Sequence, residues 1–379
     1  MSRAPAHIGD KVETIDTPAL VIDLDAMERN LERMAAFARA QGVRLRPHAK
    51  MHKSGRIAKL QVAAGAVGVC VQKVSEAEAL ADAGVSDIFV SNEVIAPPKL
   101  ARLAALAGRV KLALAVDSAL GVQRLADALH AAGTALDVFV EIDVGQGRCG
   151  VAPAAAGALA HQVVAPAKPE GGMRFAGWQA YHGRAQHLRS AAEREAAIRH
   201  AVALVRAAQA GITSAGMSCP LVTGAGTGTF VNEAASGVYG ELQPGSYLFM
   251  DADYADNEAT PGAPRFEHAL FVKSQVMSHG SSHAVIDAGH KSYAIDSGPP
   301  RVWSLSGALG PVFANGGDEH GILLNAGDAL PALGATVWLV PGHCDPTVNL
   351  HEHLVGVRGG LAQGHVEAIF PVDARGCVN

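Results

Sequence analysis

The stretch "LRPHAKMHKS" (45–54) brings two lysines and two histidines to the end of an apolar run. Three chemistries fit it: a solvated basic turn, an anion or nucleic-acid patch, or one reactive amine delivered from a strand end into a pocket. Lys50 is placed for the third, just past the run. A lysine among apolar neighbours and other cations has a depressed amine pKa and becomes a nucleophile toward a carbonyl compound. Lys53 competes for that role, but reads as the start of the following helix. On spacing alone the solvated turn stays open.

Other stretches add partners for an amine. "TGAGTGTF" (223–230) and "QPGSYLF" (243–249) are loops whose backbone N–H groups can approach an anion, as a phosphate cradle requires. A sugar or pyridoxal phosphate fits as the carbonyl partner of Lys50, and a phosphate cradle nearby supports the second. "VGQGRCG" (144–150) is a third Gly-rich loop, and its Arg148 suits a phenolate or carboxylate oxygen, or is an ordinary surface arginine. "WQAYHGRAQH" (178–187) ends an apolar run with Tyr181, His182 and His187, types suited to acid–base work or to packing. In "VPGHCDPTVNLHEH" (340–353), His343 and Asp345 share a face if the chain is extended there, with Cys344 pointing away. An imidazole and a carboxylate suit Mn²⁺, Co²⁺ or Mg²⁺. His351, Glu352 and His353 form a rival cluster, and "GGDEHG" (316–321) offers Asp318, Glu319 and His320 in a tight turn.

Composition narrows the partners. The chain has 379 residues, 49% hydrophobic, with 31 Lys plus Arg against 36 Asp plus Glu and a net charge of -5. That acidity argues against a generic nucleic-acid binder. The opening "MSRAPAHIGDKVETIDTP" has no apolar segment of a secretory signal, and no apolar run approaches a membrane span. The five cysteines are scattered and form no C-x-x-C pair, so a disulfide framework is not expected and a reducing cytoplasm is.

The elements that must hold these residues alternate regularly. Strands are predicted at 43–48, 67–72, 87–92, 110–117, 136–143, 174–181, 219–224 and 241–247, separated by Ala/Leu/Glu/Arg-rich helical stretches. Such alternation implies parallel pairing with helical crossovers, and this many strands fit a (β/α)8 barrel. A doubly wound sheet is the alternative, but no G-x-G-x-x-G follows the first strand. In barrels the active site lies at the C-terminal ends of the strands, which is where Lys50 and the Gly-rich loops fall. From about residue 265 the texture becomes short strands split by Gly, Asn and Pro turns. The expected architecture is an α/β barrel over 25–262 followed by a mostly β domain over 263–379, which the early strand "ALVIDL" (19–24) joins.

Read in order, "DTPALVIDLDAMERNL", "RPHAKMHKS", "VQKVSEAEAL", "VEIDVGQGRCGV", "QAYHG", "TGAGTGT", "SGVYGELQPGSYLFMD", "DEHG" and "VPGHCDPTVNLH" resemble the alanine racemase-like (fold type III) pyridoxal-phosphate enzymes. The likeness is to the branch that holds D-threonine aldolases and D-serine dehydratases, and it runs nearly end to end. It implies that Lys50 is the Schiff-base lysine, that Arg148 contacts the cofactor's O3′ and that Tyr181 lies beside its ring. Gly226, Thr227, Gly228, Ser246 and Tyr247 would surround the phosphate, with Thr223 and Gln243 completing the cofactor's contacts. His343 and Asp345 would hold the divalent metal, and Gln72, His187 and Asp318 would line the substrate side. Dehydratases of the branch carry a His-x-Cys metal pair, whereas this chain reads His343-Cys344-Asp345, which favours a harder metal and an aldolase. Ala225 and Gly342 depart from the family, which often has glycine and serine there.

The expected activity is retro-aldol cleavage of a D-β-hydroxy-α-amino acid, such as D-threonine, to glycine and an aldehyde. The rivals are a D-3-hydroxyaspartate aldolase, a D-serine or D-3-hydroxyaspartate dehydratase, and a non-catalytic pyridoxal-phosphate carrier. A homodimer is implied by the resemblance alone.

Overall fold

The computed structural model describes residues 4–164, 172–214, 216–305, 310–325 and 330–379. Strand β1 (Ala19–Asp23) is followed by β2 (Arg44–Leu45), β3 (Val69–Val71), β4 (Asp87–Val90), β5 (Lys111–Val116), β6 (Ala135–Glu141), β7 (Gly172–Ala180), β8 (Val222–Gly224) and β9 (Glu241–Leu242). Strands β2 to β9 form an eight-stranded sheet in the order β2-β9-β8-β7-β6-β5-β4-β3, with every pair parallel. Its two ends meet through a parallel bridge between His48 and Cys70, with Cys70 N–H donating to Pro47 O at 2.8 Å. The sheet thus curls into the expected barrel, with helices between successive strands.

Several strands are shorter than their apolar runs. β2 and β9 stop after two residues each, because Pro47 and Pro244 have no N–H to extend the ladder. Past those ends the backbone stays paired only at single points, such as His48 N–H to Pro244 O. β7 is bulged beside β6, where the register slips between Val138 and Phe139. Gly177 lies at that slip with φ 138, and a Cβ there would sit 1.8 Å from Leu221 O. Only glycine lets the two strands approach so closely.

The remaining strands are β10 (Leu270–His279), β11 (His283–Ile286), β12 (Arg301–Trp303), β13 (Val312–Asn315), β14 (Gly321–Leu324), β15 (Thr336–Val340), β16 (His353–Arg358) and β17 (His365–Pro371). Together with β1 they form a nine-stranded sheet among the described residues. β1 runs antiparallel to β10 on one side and parallel to β16 on the other. The two sheets share one apolar core, in which Met27 and Met34 of the helix Leu24–Gln41 pack with Phe249, Leu270, Val272 and Val348. Each such side chain stabilises by roughly 1.5–3 kcal/mol, so the core fixes one sheet against the other.

Inside the barrel a buried charge network lies beside an apolar cluster of Cys70, Phe89, Ala113, Ala115 and Phe139. Arg46 donates from Nε to Glu241 Oε1 at 3.1 Å and from Nη1 to Asp87 Oδ1 at 2.6 Å. Glu241 Oε1 also accepts from Thr223 Oγ1 at 3.0 Å, and Thr223 Oγ1 accepts from Gln243 Nε2 at 2.8 Å. Among the described residues, removing Arg46 leaves Glu241 with Arg44 as its one cation and Asp87 with Lys111. Arg46→Met is expected to cost about 3–5 kcal/mol of unfolding free energy, read from urea denaturation; an unchanged midpoint would contradict this account.

Candidate active site

A cavity of about 350 Å³ opens at the C-terminal ends of the barrel strands. Lys50 enters it from the turn Ala49–Met51 that follows β2, with His48 Nδ1 accepting from the Lys50 N–H at 3.4 Å. Lys53 turns away. Its φ is 51, and its Nζ donates to Asn349 Oδ1 at 2.9 Å and pairs with Glu76 at 3.2 Å. His52 is buried, bonded through Nε2 to Gln61 Oε1 at 3.1 Å and through Nδ1 to the Ser54 N–H, and burial pulls it down to about 4. It is a neutral packing residue. His48 does reach the cavity, where its Nε2 faces Gln72 and Ser91. Burial and the adjacent Lys50 push its pKa well below the ordinary histidine value.

The sequence expectation that cations would depress the Lys50 amine is corrected. The carboxylate of Asp345 raises it, outweighing burial. The neighbour that matters is an anion 295 positions away in the chain, which local spacing could not reveal.

Across the cavity, the loop after β8 and the turn after β9 form a cup that Gly226, Thr227, Gly245 and Ser246 line. A Cβ on Gly226 would lie 2.5 Å from Gln186 Oε1, and one on Gly228 2.4 Å from Gln186 O, so side chains here would collapse the cup. Among the described residues the N–H groups of Gly226, Thr227 and Ser246 donate to no protein acceptor, which leaves them for an anion. Gly228 N–H is already taken by Gln186 Oε1 at 3.0 Å, and Tyr247 N–H by Thr227 Oγ1 at 3.0 Å. Ala225 holds φ 71, a left-handed conformation that costs an alanine roughly 1–2 kcal/mol. Beneath the cup, Thr229 Oγ1 accepts from Gln186 Nε2 at 2.8 Å and donates to Glu233 Oε1 at 2.7 Å. Burial lifts Glu233 to about 7, and its Oε2 has no partner.

His343 and Asp345 reach the cavity from the opposite sheet. The chain is not extended through both: His343 is extended (φ -142, ψ 135) but Asp345 opens the short helix Cys344–Val348. They converge nonetheless, with His343 Nε2 3.0 Å from Asp345 Oδ2. Asp345 Oδ1 is buried without a partner. Asp251 completes the group: its Oδ2 accepts from His343 Nδ1 at 2.9 Å and from Cys344 N–H at 3.1 Å. Against burial, Asp251 and Asp345 hold His343 up at about 10. A carboxylate on Nδ1 fixes the ring so that Nε2 faces inward, the arrangement typical of a metal-binding imidazole. The rival cluster is elsewhere, since His351 bonds Ser292 O at 2.8 Å and Glu352 pairs with Arg375 at 3.1 Å.

His187 lines the cavity at the end of the turn Arg184–His187, its Nδ1 2.6 Å from Asp253 Oδ2. Although burial opposes it, His187 and Arg189 bring Asp253 down to about 2. An ionised Asp253 keeps the proton on Nδ1 and leaves Nε2 as an acceptor. Tyr254 lies between the two histidines, its ring centroid 5.5 Å from His187 and 6.4 Å from His343. Arg148 lies 6.0 Å above the Tyr181 ring, and both line the cavity with Gln72 and Gln243.

Some expected residues are not brought here. Thr223 lies below the floor and acts through Gln243, and Tyr247 is in the core with its hydroxyl accepting from Gln61 at 3.2 Å. Asp318 is outside this cavity, exposed and paired with His290 at 2.8 Å. Conversely Asp251, Asp253 and Tyr254 were not singled out: Asp251 ends the quoted stretch "SGVYGELQPGSYLFMD" without a role of its own, and the residues after it show no periodicity. Ser91, Gln146 and Arg184 line the cavity as well; Gln146 and Arg184 fall inside the stretches 144–150 and 178–187 but were given no role there.

The profile described as "Alanine racemase, N-terminal domain" matches residues 22–253, and that of the "Putative serine dehydratase domain" matches 269–357. The chain is 46% identical over 374 residues to the D-threonine aldolase of Arthrobacter sp., covering 98% of this chain and 96% of that one. It is 43% identical over 379 residues to the 3-hydroxy-D-aspartate aldolase of Paracoccus denitrificans (strain Pd 1222), covering 98% and 95%. The solved D-threonine aldolase of Filomicrobium marinum matches with a TM-score of 0.94 at 48% identity, over 100% of both chains.

The brace under the cup gives a pH signature. Because the folded protein raises Glu233, its contribution is most favourable below about 4.5 and is lost as pH rises through about 7. Glu233→Gln should therefore stabilise by about 3 kcal/mol at pH 8 and not at pH 4.5. Denaturation curves at the two pH values check it, and a gain equal at both would refute it.

Proposed function

The chain belongs to the alanine racemase-like family, and from that premise we propose that it is a pyridoxal-phosphate- and divalent-metal-dependent aldolase. Its reaction would cleave D-threonine and other D-β-hydroxy-α-amino acids to glycine and an aldehyde. One observation carries this reading. The Lys50 amine, the His343–Asp345 pair with its orphaned oxygen, and His187 held by Asp253 all face one cavity. A cofactor carrier needs only the first.

The residues present fit both groups. Lys50 supplies the amine that would hold pyridoxal phosphate, Arg148 and Tyr181 flank the ring's place, and the cup at Gly226, Thr227 and Ser246 suits the phosphate. Thr223 and Tyr247 support that cup and floor from behind, and Gly228 keeps the loop close to Gln186. His343 Nε2 and the free oxygen of Asp345 would hold the metal, Mn²⁺ in our reading with Co²⁺ or Mg²⁺ as alternatives. When bound, the cofactor supplies an electron sink for the broken Cα–Cβ bond, and the metal supplies Lewis acidity toward the β-hydroxyl. The chain's own task is to place and deprotonate that hydroxyl. His187 Nε2 is free to take its proton, while Asp253 stabilises the charge that develops on the ring. Tyr254 closes the space between His187 and His343, which limits how Cβ can lie.

Our reading also includes a homodimer, in which Asp318 acts from a second copy of the chain, and a cytoplasmic setting. Among the described residues no helix is long and apolar enough to cross a membrane. A single-chain mass in solution would remove the role given to Asp318.

Product analysis with D-threonine, D-serine and D-3-hydroxyaspartate, with and without Mn²⁺ after chelation, tests the function. Glycine and an aldehyde support it; ammonia and a keto acid would assign a dehydratase, and no turnover a carrier. Cleavage indifferent to chelation would remove the metal. Asp251→Asn should weaken Mn²⁺ affinity about 10–100-fold in a calorimetric titration, because Nδ1 loses its anchor.

A further inference from the structure

Arg184 opens the same turn that His187 closes, three positions apart. In a 3₁₀ turn such residues eclipse, and both side chains line the cavity. The turn is rigidly seated. Arg184 N–H donates to Gln146 Oε1 at 2.7 Å, and a Cβ on Gly183 would lie 2.8 Å from the same atom. At its far end His187 is tied to Asp253.

The guanidinium, by contrast, has no partner among the described residues. Its neighbours in the segment differ. Arg189 pairs with Asp253, and Arg194 is consumed by the carbonyls of Leu188, Arg189 and Glu258. Within the cavity, Asp345 is the one lining carboxylate among the described residues, and it faces Lys50 and His343. Arg148 is placed over Tyr181. Arg184 is exposed at the cavity's mouth, so its guanidinium meets water in the free protein and is open to a ligand carboxylate.

On the retro-aldol reading, a β-hydroxyl at His187 Nε2 brings the other Cβ substituent within reach of the turn that carries Arg184. A methyl group gains nothing there, whereas a carboxylate meets a planar fork of donors matched to its two oxygens. We propose that Arg184 is the specificity residue that binds the β-carboxylate of the substrate, making acidic D-β-hydroxy-α-amino acids of the 3-hydroxyaspartate type the preferred class. The assignment rests on the retro-aldol reading above for its orientation of Cβ.

Arg184→Met and Arg184→Lys in the cofactor-loaded, metal-loaded enzyme test it. The ratio of kcat/KM for D-3-hydroxyaspartate to that for D-threonine should exceed one in the parent. It should fall about 10–100-fold in Arg184→Met, mainly through KM, with partial recovery in Arg184→Lys. A parent ratio below one, an unmoved ratio, or an equal fall for both substrates would overturn the assignment; the last would mean that Arg184 holds the α-carboxylate. Calorimetric binding of D-aspartate and D-alanine separates this from failure of the aldolase reading, since neither carries a hydroxyl to cleave. Selective loss of D-aspartate affinity in Arg184→Met sustains the anion site even if no aldehyde is ever formed. Equal or absent losses overturn it whatever the reaction.

Discussion

A guanidinium inside the barrel is the constraint on which the site depends. Burial opposes the charge of Arg46, and Glu241 and Asp87 hold it in place from two different strands. From Glu241 the hydrogen bonds pass through Thr223 to Gln243, which is bonded at 2.9 Å to Gln179. Gln179 and Gln243 are the cavity floor. The floor is thus held by directional bonds anchored to a charge, where apolar side chains would allow more rotamer freedom. Cradle and amine rise on either side of it, from the turns after β8, β9 and β2.

The two halves of the chemistry arrive on different sheets. Lys50, His187 and the cup stand on the barrel, while His343 and Asp345 follow β15. Their alignment is set by the shared apolar core and by polar bolts across the junction, among them Lys53 to Asn349 and Asp251 to His343. A substitution such as Phe249→Ala, in that core, would misplace the metal-type pair relative to the amine without touching either.

Sequence reasoning reached the fold because β-branched runs alternate with helical spacing, and barrel topology then sends strand ends to one face. It found Lys50, the Gly-rich loops and the His343-x-Asp345 pair because each follows a strand directly. Even so, the pair converges by a helix turn and not by the extended geometry assumed for it. Asp251, Asp253 and Arg184 stayed illegible for a common reason: their roles lie in contacts across 64 to 92 positions or in a missing partner. Spacing along the chain carries no trace of such relations. The Lys50 electrostatics were misread for the same reason, since only the fold brings Asp345 beside the amine.

Strand β1 has a consequence for how the protein is made. It leaves the ribosome well before its partners, since Val21 pairs with Phe271 on one side and Val355 on the other. Until those segments emerge, an apolar strand waits with both ladder edges open, the condition that invites pairing with other chains. The barrel can form in the interval, because its strands are contiguous from β2 to β9. Before those segments emerge, β1 lacks both ladder neighbours and the cavity lacks His343 and Asp345. The pairing that shelters β1 belongs to the same sheet that brings His343 and Asp345 to the cavity, so the open edge closes as the candidate site is completed.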